Sequence, residues 1–392
     1  MSSLPVRLGV AAVVTLLLAW LYLSLAATPA DLPLARSLLV GMALGVVLQR
    51  ARFCFFCHWR DLIDQGDGRG TVAILLALAV GVVGYTVVVG AWLPDPTTGR
   101  LPPDAHIGPV SWALIVAAAA FGLGMVISGS CISAHFYRLG EGSPTAPFAL
   151  VGAGIGFLLG FRTWNPLYLE TIATAEVVWL PRYLGHGGAL GLALLVLLSL
   201  ILLLWRRQPA TAPAVSPWRA LFVDRWPAWW GGLAVGGIGT AAYLRVEPLG
   251  VTSELGGRAR QLGDVFGLVP ARLEGLDQFR GCATAITEAL LSSNGALVLG
   301  LVGAAFAAAL VAGQFQPRLP TFRDAARGLT GGVLLGWGAM TGLGCTVGTL
   351  MSGIMAGAAS GWVFLVVCFA TVALGLRVQR LINPVARAGA SG

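Results

Sequence analysis

Ten apolar runs separated by short polar stretches pattern this chain, at about 8–27, 37–48, 71–93, 110–130, 146–161, 189–205, 228–244, 294–313, 330–350 and 358–376. A helix crossing a bilayer needs ~20 such residues. The pattern therefore predicts an all-α polytopic membrane protein of about ten membrane segments. Several runs are short. The run at 37–48 and the two glycine-rich runs that carry Cys131 and Cys345 predict half-helices or re-entrant pieces. The first run, from Leu8 to Ala27, is long enough to span. A cleaved signal has a shorter apolar region, although Ala-Ala-Thr-Pro-Ala at its end suits a cleavage site, and the expectation is a retained span.

Arginines orient the runs. Arg50, Arg52, Arg60 and Arg69 follow the second, and Arg206, Arg207, Arg219 and Arg225 the sixth. Arg318, Arg323 and Arg327 follow the eighth, and Arg377 and Arg380 the tenth. With a cytoplasmic N-terminus all four clusters lie in the cytoplasm, as the positive-inside rule requires.

The pattern also repeats. An offset of 214 lays Gly122 on Gly336, Gly124 on Gly338 and Cys131 on Cys345. Gly41-Met-Ala-Leu-Gly45 ahead of Cys54 echoes Gly232-Leu-Ala-Val-Gly236, and Cys54 precedes the third run by about as much as Cys282 precedes the eighth. Each half, 1–188 and 189–392, holds about five runs. An odd number makes the second half enter from the opposite side, so the expectation is an inverted repeat with a site near the midplane between halves.

Composition narrows the class. Of 392 residues 57% are hydrophobic and 11% charged, with 54 glycines, which excludes an ordinary soluble protein. Every cation is Arg, and the net charge of +8 reads as topology; nucleic acid is not an expected partner, since no basic face interleaved with aromatics occurs. The lipid bilayer is. No phosphate loop or dinucleotide fingerprint occurs, and no cofactor is expected. Trp92, Trp112, Trp179, Trp218, Trp226, Trp229 and Trp230 read as interface anchors. His106 and His186 read as outer-loop residues.

Chemistry concentrates in the cysteines. Repeat symmetry pairs Cys54 with Cys282 and Cys131 with Cys345, while Cys368, alone in an apolar run, reads as packing. A polarizable thiol donates weakly to a sulfur anion, and a thiolate attacks a sulfane sulfur, so a line of thiols suits a soft sulfur ligand. Interrupted helices supply positive potential through their N-terminal amides. Arg138 and Glu141 read either as a pair shaping the turn after Cys131 or as a gate, and His135 as a residue bonded within that turn or as a proton relay.

RARFCF followed by Arg60-Asp61-Leu62, GMVISGSC with FYRLGEG, GALVLGLVGAAFAA with GQF, and GLGCTVGTLMSG resemble the YeeE/YedE family of bacterial membrane proteins from about Gly41 onward. The resemblance implies an inner-membrane permease with an hourglass-like interior, in which thiosulfate passes between thiols. Those thiols are Cys54, Cys131 and Cys345, with Cys282 a secondary fourth. The chain departs from the family pattern at Gly129-Ser130-Cys131-Ile132-Ser133, at His135, and by its extra Cys57 and His58. Another sulfur species or a selenium compound therefore remains open as cargo.

Two competing readings concern other chemistry. Cys54-Phe-Phe-Cys57-His58 has the C-x-x-C-H form of c-type haem attachment, but its arginines place it in the cytoplasm, on the wrong side for that reaction. As a metal site it lacks a fourth ligand, and no bound metal is expected; as a dithiol it is a switch. A membrane sulfurtransferase, with Cys131 or Cys345 accepting a persulfide, is the enzymatic alternative to a non-enzymatic permease. A cytoplasmic sulfur-carrier protein is a candidate partner at the arginine-rich inner loops.

Overall fold

Helices account for all ten apolar runs. The computed structural model describes residues 4–205, 219, 222–279 and 290–382, so Cys282, Arg206, Arg207 and Trp218 lie outside the described residues. The ten runs correspond to α1 (Leu4–Ala26), α2 (Leu32–Ala51), α4 (Arg69–Trp92), α5 (Trp112–Ser128), α7 (Ala146–Leu167), α8 (Leu180–Trp205), α9 (Ala228–Arg245), α11 (Ser293–Val311), α12 (Phe322–Thr341) and α14 (Ala359–Ile382). Shorter helices lie between them: α3 (Phe55–Gln65), α6 (Ile132–Gly140), α10 (Ser253–Val265) and α13 (Thr346–Met355). Among the described residues eight helical stretches are long and apolar enough to cross a membrane, or nine with the α12–α13 pair, which bends by 41°. The protein is an all-α polytopic membrane protein.

Boundaries moved where hydropathy alone cannot see them. The second run grows into a full 20-residue helix because Pro33, in its first turn, presets the helical φ ahead of the apolar stretch. The sixth begins at Leu180, and Gly185, at φ 69°, kinks it near the expected start. The ninth is broken: α12 ends at Thr341, the chain turns through Gly342–Cys345, and α13 is wound wide as a π-helix over Thr346–Ser352. Trp179 is not an interface anchor. It is fully buried, its Nε1 donates to the Ala356 carbonyl at 2.8 Å, and its backbone bridges to Ala358. A buried indole N–H needs such a partner. Trp92, Trp112, Trp229 and Trp230 do remain exposed near helix ends.

Packing joins helices far apart in the chain. α2 lies on α11 and α9 on α4, while α12 lies against both α7 and α5, and α5 also meets α14. Replacing each helix by its echo under the sequence repeat turns α2–α11 into α9–α4 and α7–α12 into α14–α5, and each resulting pair is also in contact. Glycine permits this closeness. A Cβ on Gly41 or Gly45 would run into the carbonyls of Leu297 or Leu301, and one on Gly232 or Gly236 into those of Ala73 or Ala77. The echoing Gly-x-x-x-Gly motifs thus let backbone meet backbone, the means by which helices associate where lipid removes the hydrophobic drive.

Candidate functional site

Three cysteines occupy the same local structure. Each caps the N-terminus of a short helix, Cys54 for α3, Cys131 for α6 and Cys345 for α13, with extended backbone at the cap. Two residues earlier the chain turns through the left-handed region, at Arg52 (φ 51°), Gly129 (φ 81°) and Leu343 (φ 59°). Only glycine adopts this conformation without cost; for other residues it costs ~1–2 kcal/mol. Among the described residues Arg52, Leu343 and Asp104 are the only non-glycine examples, so two of the three strained positions precede thiols. Each thiol therefore sits at the end of a helix where the first amides concentrate positive potential, and of the three Cys345 accepts one of those amides.

All three thiols are buried. The Sγ of Cys54 lies 3.5 Å from Ser130 Oγ and that of Cys131 lies 3.5 Å from Ser133 Oγ. Cys54 also lies within electrostatic reach of Cys131 and Cys57. Cys345 Sγ accepts the Val347 amide at 3.4 Å. An apolar hollow adjoins Cys131 and Ser133; Leu44 and Leu48 of α2, Val235 of α9, and Val347 and Met351 of α13 line it. A second hollow is lined by His106, Ser111, Thr341, Thr349 and Ser360 together with the apolar Leu114, Ile172 and Leu343. Val347 borders the first hollow while Leu343 and Thr349 border the second, so the Cys345 turn stands between them. Cys131 and Val347, which lies two residues after Cys345, thus line one hollow.

Around the first cluster the side chains depart from the simplest expectation. The Arg138 side chain does not hydrogen-bond the Glu141 carboxylate; its Nη2 donates to Cys57 Sγ at 3.2 Å and its Nη1 to the Gly129 carbonyl at 3.4 Å. Glu141 instead accepts from Gln49 Nε2 at 3.3 Å, and Gln49 also donates to Gln314 at 2.8 Å. The reason is the helix itself: Arg138 is seven residues from Cys131 and shares its face, whereas Glu141 is the C-terminal cap and turns toward α2. His135 is not bonded within the turn: both ring nitrogens are buried without a partner among the described residues. His58 packs its ring against Gly70, and its carbonyl accepts from Thr71 at 3.2 Å. Among the described residues no group of three or more His, Cys, Asp or Glu side chains is placed to hold a metal. Cys282 lies outside the described residues.

The inward place of His106 and of the serine and threonine residues of the second hollow escaped sequence reasoning. His106 lies in the loop between α4 and α5 as expected, yet that loop folds inward and buries it. Burial holds its imidazole below the ordinary range, with the Gly348 carbonyl and the nearby Cys345 and Glu247 offsetting only part. Burial likewise raises Glu247, in the loop after α9. No spacing signal marks either residue. The left-handed Leu343 had one: it sits at the offset of 214 from Gly129, inside a Gly-Leu-Gly-Cys run.

The family model described as Sulphur transport matches residues 50–374. The chain is 28% identical over 346 residues to the thiosulfate transporter TsuA of Spirochaeta thermophila, covering 83% of this chain and 92% of that protein. It is 28% identical over 349 residues to the thiosulfate transporter TsuA of Escherichia coli K12, covering 84% and 90%. A probable transporter, YedE of Salmonella typhimurium, is 26% identical over 187 residues, 47% of this chain and 44% of that protein.

Proposed function

The chain belongs to the Sulphur transport family, and from that premise we propose that it is a permease for thiosulfate or a closely related sulfur-containing anion. The cargo passes along Cys54, Cys131 and Cys345, with Cys282 as a fourth thiol. The observation that carries this reading is the thrice-repeated cap: a buried thiol at a helix N-terminus, two residues after a left-handed turn. Each cap offers an S–H to the soft sulfur end of the anion and a set of amide dipoles to its charge. The apolar hollow between Cys131 and the α13 turn keeps water away, so the weak S–H donor is not outcompeted.

The rest of the proposal concerns placement. Residues 1–188 and 189–392 form two inverted halves, with the thiols near the plane between them. The protein sits in the bacterial inner membrane with its N-terminus in the cytoplasm, which puts the Cys57 end of the line inward. The arginine-rich inner loops then face a cytoplasmic sulfur-carrier protein as acceptor. The chain acts as a transporter and not as an enzyme.

Uptake of thiosulfate labelled separately at its two sulfurs tests this, in cells lacking other sulfate and thiosulfate importers, comparing wild type with Cys131→Ala. The permease reading expects both labels to enter together and the variant to block both. Entry of the outer sulfur alone makes the protein a sulfurtransferase. Entry of neither refutes thiosulfate as cargo and turns the test to selenium compounds.

A further inference from the structure

Beside the thiols lies a set of polar groups that the thiol line does not use. Cys131, His135 and Arg138 stand at intervals of four and three along α6, so all three share one helix face. His135 is 2% exposed, and among the described residues neither ring nitrogen has a hydrogen-bond partner. It lies within electrostatic reach of both Arg138 and Cys54. Arg138, largely buried, has a thiol, the neighbouring Tyr137 hydroxyl and one carbonyl as partners, and among the described residues no carboxylate forms an ion pair with it.

Both arrangements are costly in an empty protein. A buried polar group without a partner forfeits its hydration, and a buried guanidinium needs an anion to offset its desolvation. Folded proteins satisfy nearly all such groups, so an orphaned imidazole one turn from an unpaired guanidinium calls for a missing partner. The chemistry of that partner follows from its neighbours. The guanidinium is a planar fork suited to the oxygens of a tetrahedral or planar oxyanion, while Cys54 and Cys131, next to it, suit a sulfur atom.

We propose that His135 and Arg138 form an oxyanion subsite beside the Cys54–Cys131 pair, which holds the oxygenated head of the passing anion while the thiols hold its sulfur end. The inference rests on the permease reading and adds a ligand class: a small sulfur oxyanion whose two ends differ, one of oxygens and one of sulfur or selenium. Cys57 fills the guanidinium when the subsite is empty, and the anion displaces it. Two-ended recognition separates such an anion from sulfate, which has no soft end, and from hydrosulfide, which has no oxygens.

The test is thiosulfate binding to the purified full-length protein in detergent, by calorimetry, for wild type, His135→Phe, Arg138→Lys and Arg138→Met, with unfolding midpoints measured without ligand. Binding is read apart from uptake so that the two readings fail separately. We expect Arg138→Met to weaken binding at least about tenfold, Arg138→Lys to fall between, and His135→Phe to weaken it several-fold. His135→Phe should also keep or raise the unfolding midpoint, since it removes two unsatisfied nitrogens. Lower affinity with undiminished stability is the mark of a binding residue. Should Arg138→Met not fold, His135→Phe decides. Unchanged affinity in His135→Phe and Arg138→Lys, or a midpoint that falls along with affinity in His135→Phe, overturns the subsite. Wild-type binding lost in these variants, in a protein that moves no thiosulfate across a membrane, sinks the permease reading and leaves the subsite standing.

Discussion

Gly236 and Gly237 are neighbours on α9 with opposite surroundings, and exchanging each for alanine isolates what the close helix contact contributes. A Cβ on Gly236 would lie 2.6 Å from the Ala77 carbonyl oxygen and 2.9 Å from Val80 Cβ, both on α4, whereas one on Gly237 meets nothing within 4 Å. Ordinary contact begins at 3.4 Å, so Gly236→Ala requires a shift of about 0.8 Å. The obstructing oxygen belongs to the hydrogen-bonded backbone of α4 and has no rotamer to escape into, so the two helices must part. Overpacking of this kind costs ~1–3 kcal/mol. Both substitutions gain the same helix propensity, ~1 kcal/mol, which cancels between them. Gly237→Ala should therefore be neutral or stabilising, and Gly236→Ala less stable than it by ~1–3 kcal/mol, read as unfolding midpoints in one detergent. Gly41→Ala and Gly232→Ala meet carbonyl oxygens closer still and should lose more. They should also impair uptake, because α2 and α9 carry Leu44, Leu48 and Val235 to the wall of the apolar hollow. Equal midpoints for Gly236→Ala and Gly237→Ala would refute the backbone-contact argument.

Other expectations can be checked with single substitutions. Cys54→Ala and Cys345→Ala should cut thiosulfate uptake as Cys131→Ala does, at normal protein levels, while Cys368→Ala, buried in α14 away from both hollows, should leave it intact; uptake equal in all four variants contradicts the relay. Trp179→Phe removes the donor to Ala356 and should cost ~1–3 kcal/mol, measured as a lowered unfolding midpoint, because the carbonyl beside α13 loses its partner. Hydrogen bonds from Arg69 hold the Asp67 carboxyl below its usual range, so its contribution is complete above the ordinary carboxylate pKa and is lost as pH falls through the lowered one. The pair is partly exposed, and the midpoint difference between wild type and Asp67→Asn should be small at neutral pH and disappear in acid; a difference that grows in acid reverses the assignment.

Much of this was legible in one dimension. Runs of apolar residues long enough to cross a bilayer marked the helices, and the offset of 214 marked Cys131 and Cys345 as equivalent before any contact was known. The Gly-x-x-x-Gly echo marked the stretches at 41–45 and 232–236 as counterparts. These features are local, written in neighbouring residues and in the chain's similarity to itself.

The tertiary structure decided the rest, because in a membrane protein lipid and protein interior are equally apolar and hydropathy cannot say which one a side chain faces. Trp179 looked like an interface residue and is core; His106 looked like a loop residue and lines a hollow. The fate of Arg138 turned on which helix faced α6 across space: with Cys57 there, it reached a thiol instead of Glu141, three residues away in sequence. His135 is an orphan for the same reason. Its sequence neighbours offered it no bond, and whether distant elements did was settled only once α6 had packed against the turn that carries Cys54. Sequence alone thus determined where the helices run and where the thiols repeat, while hydrogen-bond partners drawn from opposite ends of the chain depended on the packed fold.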